Sequence, residues 1–195
     1  KFSRLGRMSA LGATQLLVQL LRGLSAAHQA GIVHRDLTPK SIFIVPGQAG
    51  NGDSAILGDF GTSRLERFKT QLDGDYHSFQ YLSPEQLNGL RELDQRSNLY
   101  SLGIIAYEAI AGVMPFEGRD FATLTSNILL EEPKLLEELV PDAPVSLVQF
   151  IRKAMARAPS ARTARRCASR SFISSIPPSW RRARSRPPPR SPCRG

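Results

Sequence analysis

Three short patterns carry the residues of this chain that are equipped for chemistry: His34-Arg35-Asp36-Leu37, Asp59-Phe60-Gly61 and Ser83-Pro84-Glu85. An ionised carboxylate can accept a proton or offer hard oxygens to a cation such as Mg²⁺, so Asp36 and Asp59 are the side chains to weigh first. Taken singly, each pattern is weak, because an aspartate ahead of Phe-Gly is more often a turn residue than a ligand. Their weight comes from their order along the chain and from where each falls relative to the elements around it. The histidines offer less. His34 is expected to be a packed, hydrogen-bonded loop residue, and His28 and His77 have no second ligand in view.

The elements that must hold these residues can be read from spacing. Ser9 is placed to cap a helix in which Ala13, Leu17, Leu20, Leu24 and Ala27 form one apolar face, ending at Gly31. Ile42–Val45 and Ala55–Leu57, separated by the Gly/Asn/Asp-rich stretch 47–53, predict a small hairpin. From Thr62 to Gln80 periodicity is lost, which predicts a long mobile loop. Asn98–Ala111 is apolar along almost its whole length, the mark of a buried central helix. Phe121–Leu130 and Val145–Arg157 are further helices, the second with Leu147, Phe150, Ile151, Ala154 and Met155 on one side. The first pattern thus follows a helix, the second follows the hairpin, and the third closes the long loop.

In that order the three patterns resemble the H-R-D, D-F-G and A-P-E signatures in the C-terminal lobe of a eukaryotic-type protein kinase, over about Leu5–Arg162. Tyr81–Gln86, Tyr100-Ser101-Leu102-Gly103 and Leu37-Thr38-Pro39 are similar to the serine/threonine branch, notably its bacterial members. The resemblance implies a mainly α fold, a helical bundle with a small β-hairpin at a catalytic cleft. It implies transfer of the ATP γ-phosphoryl group to protein Ser or Thr hydroxyls, with ATP and Mg²⁺ as cofactors and a protein as substrate. Asp36 then accepts the substrate hydroxyl's proton, and Asp59 is the Mg²⁺ ligand at the nucleotide phosphates. Phe60 packs, and Gly61 lets the loop reverse. Arg35 is placed to pair with a phosphate on the long loop, with Thr70 and Ser78 the favoured acceptors ahead of Thr62 and Ser63. Glu85 and Arg162 correspond to a buried structural ion pair.

Departures from the family pattern accompany these matches. Where the family reads D-L-K-P-x-N, this chain has Asp36-Leu37-Thr38-Pro39-Lys40-Ser41. Thr38 stands at the catalytic position of a lysine that neutralises the transferring phosphate. Ser41 stands at the position of the asparagine that binds cofactor and a second Mg²⁺, and a hydroxyl is the poorer ligand. Asn98 replaces an aspartate that braces the catalytic loop, keeping an acceptor but giving up charge-assisted bonds. No Gly-rich phosphate loop and no Val-Ala-Ile-Lys-like strand precede Leu5, so an N-terminal lobe is not expected in residues 1–162 and nucleotide affinity is expected to be poor. Without the family's final helix after Arg162, Phe150 or Met155 is expected to be exposed. Three readings follow: a partial serine/threonine kinase catalytic domain, a catalytically impaired interaction module of pseudokinase type, or a truncated or frameshifted kinase fragment without function.

Charge divides the chain in two. Residues 1–151 hold 13 Lys/Arg against 17 Asp/Glu, a net −4, whereas residues 152–195 hold 13 basic residues and no acid. A nucleic-acid-binding domain is therefore not what the overall +9 signifies; the body is mildly acidic and only the tail is basic. Residues 163–195, rich in Arg, Pro, Ser and Ala, are expected to be disordered. They read as a solvated segment, as a weak polyanion-binding arm, or as an out-of-frame translation of GC-rich DNA. Cys167 and Cys193 both lie there, too few for a disulfide framework or a four-ligand zinc site. The apolar stretch around Leu16–Leu24 is interrupted by Gln19 and Arg22, so no membrane span is expected and a soluble cytoplasmic domain is the default.

Overall fold

A computed structural model describes residues 7–47, 53–60, 76–90 and 93–162. The tail from Thr163, Thr70, Thr62, Ser63 and Gly61 lie outside the described residues. Helix α1 (Ala10–Gln29) begins where Ser9 accepts a hydrogen bond from the Gly12 amide at 3.1 Å, and the chain leaves it through Gly31 at φ +75°. Its buried face holds Ala13, Leu17, Leu20 and Leu24, as the spacing predicts, widened by Thr14, Leu16 and Leu21. Strands β1 (Ile42–Val45) and β2 (Ser54–Leu57) pair antiparallel, with Ile42 opposite Leu57 and Val45 opposite Ser54. The Gln19 side chain fixes this hairpin to α1. Its amide donates to the Asp53 carbonyl at 3.1 Å, and its oxygen accepts from the Ala55 amide at 2.8 Å.

The last residues of the expected Thr62–Gln80 loop are helical, and 62–75 lie outside the described residues. Tyr76–Tyr81 form a short 3-10 helix, and α2 (Pro84–Leu87) follows at once. Helix α3 (Gln95–Ala111) is the hub. Fourteen of its seventeen residues are buried, which is why no polar face shows in its sequence. Asp94 caps its start through the Arg96 amide, and Gly112 ends it in the left-handed conformation at φ +75°. Around α3 lie α4 (Phe121–Leu130), the single turn α5 (Leu136–Leu139) and α6 (Val145–Ala154). Helix α6 stops three residues short of the expected Arg157, because the chain turns after Met155 into the 3-10 turn Pro159–Ala161. Met155, expected to be exposed, is buried against α3, and Phe150 is half-buried. None of the helices among the described residues is long and apolar enough to cross a membrane.

The α3–α6 contact depends on Gly103. A Cβ there would lie 2.9 Å from Met155 Cγ, 3.0 Å from Ala154 Cβ and 3.3 Å from the Met155 amide nitrogen. Met155 can swing aside, but Ala154 and the backbone cannot. Gly103→Ala is therefore expected to destabilise by about 1–3 kcal/mol through overpacking, although alanine is the better helix former. Urea unfolding of the two proteins checks it, and a more stable variant would show that the helices can separate at no cost.

Candidate active site

The loop after α1 is built on the buried His34, whose bonds run in two directions. Its backbone amide donates to Asn98 Oδ1 on α3 at 3.0 Å, and its Nε2 donates to the Gly58 carbonyl at 2.8 Å. Gly58 returns a bond, its amide donating to the Ser41 carbonyl at 2.9 Å. Two hydrogen bonds thus stitch the Asp36 loop to the end of β2, one residue ahead of Asp59. The Phe60 ring adds a third contact, its centroid 4.6 Å from that of His34. The expectation that His34 packs and bonds is met in this arrangement, and the two aspartate-bearing segments lie side by side.

Two residues of the site occupy the left-handed region without being glycine: Arg35 at φ 60° and Asp59 at φ 59°. Each such residue costs on the order of 1–2 kcal/mol, and surrounding bonds must hold it there. For Arg35 the holder is Gln86, whose Nε2 donates to the Arg35 carbonyl at 2.6 Å while the Arg35 side chain stays exposed. Gln86 is itself fixed, its Oε1 accepting from Ser83 N at 3.1 Å and Ser83 Oγ at 3.0 Å. Sequence reasoning assigned Gln86 no role. The Ser83-to-Gln86 spacing is that of a capping box, and that signal could have found it. For Asp59 the flanking bonds of Gly58 and the Phe60–His34 contact define the approach.

The residues at the three departures from the family pattern are all buried. Asn98 Oδ1 accepts from His34 N and lies 2.9 Å from His28 Nε2, so the residue braces the loop through one oxygen. His28, for which the sequence offers no second metal ligand, is thereby a second neighbour of the same oxygen. Thr38 Oγ1 accepts from the Lys40 amide at 3.3 Å, and Ser41 Oγ accepts from the Thr38 amide at 3.1 Å; together they cap the 3-10 turn Pro39–Ser41. Asn98→Ala would leave the His34 amide buried without an acceptor. We expect a loss of about 1–3 kcal/mol and faster amide exchange at His34, measured by thermal melting and hydrogen exchange. Unchanged protection would show that water or another group replaces the oxygen.

Behind the loop, Glu85 and Arg162 meet as anticipated. Arg162 Nη1 and Nη2 donate to the two Glu85 carboxylate oxygens at 2.6 and 3.0 Å, and Ser97 Oγ donates to Oε1 at 2.7 Å. Arg162 also donates to the Ala156 and Arg157 carbonyls, and its guanidinium lies 4.8 Å from the Tyr100 ring centroid. Burial pushes the Glu85 carboxyl up, but the bonds from Arg162 and Ser97 outweigh it and leave the group below the usual carboxylate range. Tyr100, under the guanidinium, is raised by burial. Ser78 sits half-buried in the 3-10 helix Tyr76–Tyr81. That segment is held in turn by Tyr81, whose hydroxyl donates to Glu108 Oε2 at 2.7 Å. Burial and this carboxylate raise the tyrosine's pKa.

Comparison with known proteins agrees with this geometry. The protein kinase domain family matches residues 2–173. Serine/threonine-protein kinase pkn3 of Myxococcus xanthus is 32% identical over 181 residues, covering 89% of this chain and 33% of that protein. Serine/threonine-protein kinase PknA of Mycobacterium tuberculosis is 35% identical over 161 residues, covering 82% and 35% respectively. With pkn2 of Myxococcus xanthus the identity is 41% over 111 residues, or 54% of this chain and 13% of the relative. The chain spans about a third or less of the length of these relatives. A loop that carries His-Arg-Asp, hydrogen-bonded to the strand end that carries Asp-Phe-Gly, on a chain matched to one family over most of its length, places this protein in the protein kinase domain family, with the bacterial serine/threonine kinases.

Proposed function

We propose that the chain carries the catalytic loop and the metal-binding segment of a serine/threonine kinase, transferring the γ-phosphoryl group of ATP to protein Ser or Thr hydroxyls. The observation that supports this reading most directly is the pair of bonds between the two segments, His34 Nε2 to the Gly58 carbonyl and Gly58 N to the Ser41 carbonyl. They hold Asp36 and Asp59 on adjoining loops, although 23 positions separate them in sequence. Phosphoryl transfer asks little covalent work of a protein; it asks for alignment and for neutralised charge. Asp36, half-buried, orients the incoming hydroxyl and takes its proton. Asp59 offers hard carboxylate oxygens on an exposed turn, a donor suited to Mg²⁺, which when bound with ATP neutralises charge on the phosphates. Arg35, held with its side chain outward, is available to a phosphate on the segment that contains Thr70 and Ser78.

The test is transfer of labelled phosphate from ATP to a generic basic protein substrate with Mg²⁺ or Mn²⁺. Incorporation on Ser or Thr supports the reading, and silence with both cations overturns it. A second reading, an interaction module that has lost turnover, is favoured by the inward-facing Thr38 and Ser41 side chains. It predicts that Thr38→Lys, Ser41→Asn and Asn98→Asp together leave partner binding unchanged and restore no transfer.

A further inference from the structure

Ser41, at the place where a second cation ligand would stand, is bonded into its own loop. Ser41 is 2% exposed, and its single hydroxyl is already committed. Its oxygen accepts from the Thr38 amide at 3.1 Å, and its one proton faces the Thr38 carbonyl at 3.1 Å and the Asp36 carbonyl at 3.3 Å. A hydroxyl has one proton and two lone pairs, so a single lone pair is left, on a side chain that is almost wholly buried. Mg²⁺ demands near-octahedral geometry and usually keeps several waters, so a buried hydroxyl already bonded to its own loop is a poorly placed ligand. An asparagine carries two polar atoms at separate positions, one to donate to the loop and one to ligate; serine has one atom for both tasks. Thr38 offers no replacement, being 5% exposed with its hydroxyl on the Lys40 amide. Asp59, by contrast, lies on an exposed turn.

We propose that this chain holds a single divalent cation, on Asp59, and that Ser41 is a positioning residue that braces the Asp36 carbonyl and the turn after it. The proposal rests on the kinase reading, and it assigns the loss of the second cation to the geometry of one hydroxyl. The small Pro39–Ser41 turn is what the serine serves: its oxygen closes the cap on Thr38 N while its proton reaches back toward Asp36. Lost metal affinity at position 41 is thereby exchanged for a rigid approach to the proton acceptor.

The experiment counts Mn²⁺ bound to the full chain by electron paramagnetic resonance, at saturating non-hydrolysable ATP analogue, per protein-bound nucleotide. One equivalent is expected in the native protein, and none after Asp59→Asn. Ser41→Ala should keep the one equivalent while the melting temperature falls by on the order of 5 °C, because the Thr38 amide loses its acceptor. Ser41→Asn should gain a second equivalent; if that variant does not fold, the native and Ser41→Ala counts decide. Two equivalents in the native protein, falling to one in Ser41→Ala, would make Ser41 a ligand and overturn the proposal while leaving the kinase reading intact. No bound cation in the native protein would overturn both.

Discussion

Glu85→Ala is expected to remove about 3–5 kcal/mol of stability, a large share of the roughly 5–15 kcal/mol by which a domain is stable. The cost does not come from losing an attraction so much as from what remains. Arg162, with a side chain 0% exposed, would keep a charge it cannot shed and face Ser97 and Tyr100 without a counter-ion. Replacing both members, as Glu85→Met with Arg162→Met, should recover part of the loss. The recovery is partial because the Ala156 and Arg157 carbonyls lose their guanidinium donor in the double variant. Urea titrations of the native, single and double proteins decide this. A single variant within 1 kcal/mol of native would mean that water reaches the pair.

The same pair sets a pH dependence. The Glu85 carboxyl is held below its ordinary value in the folded protein, so its contribution is fully present above the unfolded carboxylate pKa, about 4.3. That contribution is lost as pH falls through the lower folded value. Native protein should therefore lose stability with acid more steeply in that window than Glu85→Ala does. Parallel slopes for the two proteins would remove the ion pair as the cause.

Asp36→Asn is expected to lower phosphoryl transfer by about 10²–10⁴-fold while the fold survives. An amide has the shape of the carboxylate but does not accept a hydroxyl proton. Several supports of the loop run through main-chain atoms and other side chains: Asp36 N to the His34 carbonyl, Ser41 Oγ to the Asp36 carbonyl, and His34 to Asn98 and Gly58. None of these is removed by the substitution. Steady-state kinetics beside a thermal melt separate the two effects, and full turnover in a folded Asp36→Asn protein would mean that another group takes the proton.

How far the sequence led can be judged element by element. The capped helix Ala10–Gln29, the hairpin and the largely apolar α3 were legible, because each is a local pattern: a cap residue, a turn-rich gap, an apolar run. The 3-10 helix Tyr76–Tyr81 and the early end of α6 were not. Both are shaped by contacts with distant residues, such as Tyr81 with Glu108 and Met155 with Gly103. Met155 was expected to be exposed, and packing against the small Gly103 buries it instead.

The candidate site divides the same way. Motif order along the chain, through the family resemblance it carries, pointed to Asp36 with Asp59 and to Glu85 with Arg162, since motif order survives without coordinates. It also marked Thr38, Ser41 and Asn98 as substitutions with chemical consequences. Only the tertiary structure decided what those side chains do: Asn98 as an acceptor for His34 and His28, Thr38 and Ser41 as caps of one turn, Gln86 as the clamp on a left-handed Arg35. The reason is physical. A residue's type limits which bonds it can form, but which partner comes within about 3 Å is settled by the packing of elements remote in sequence.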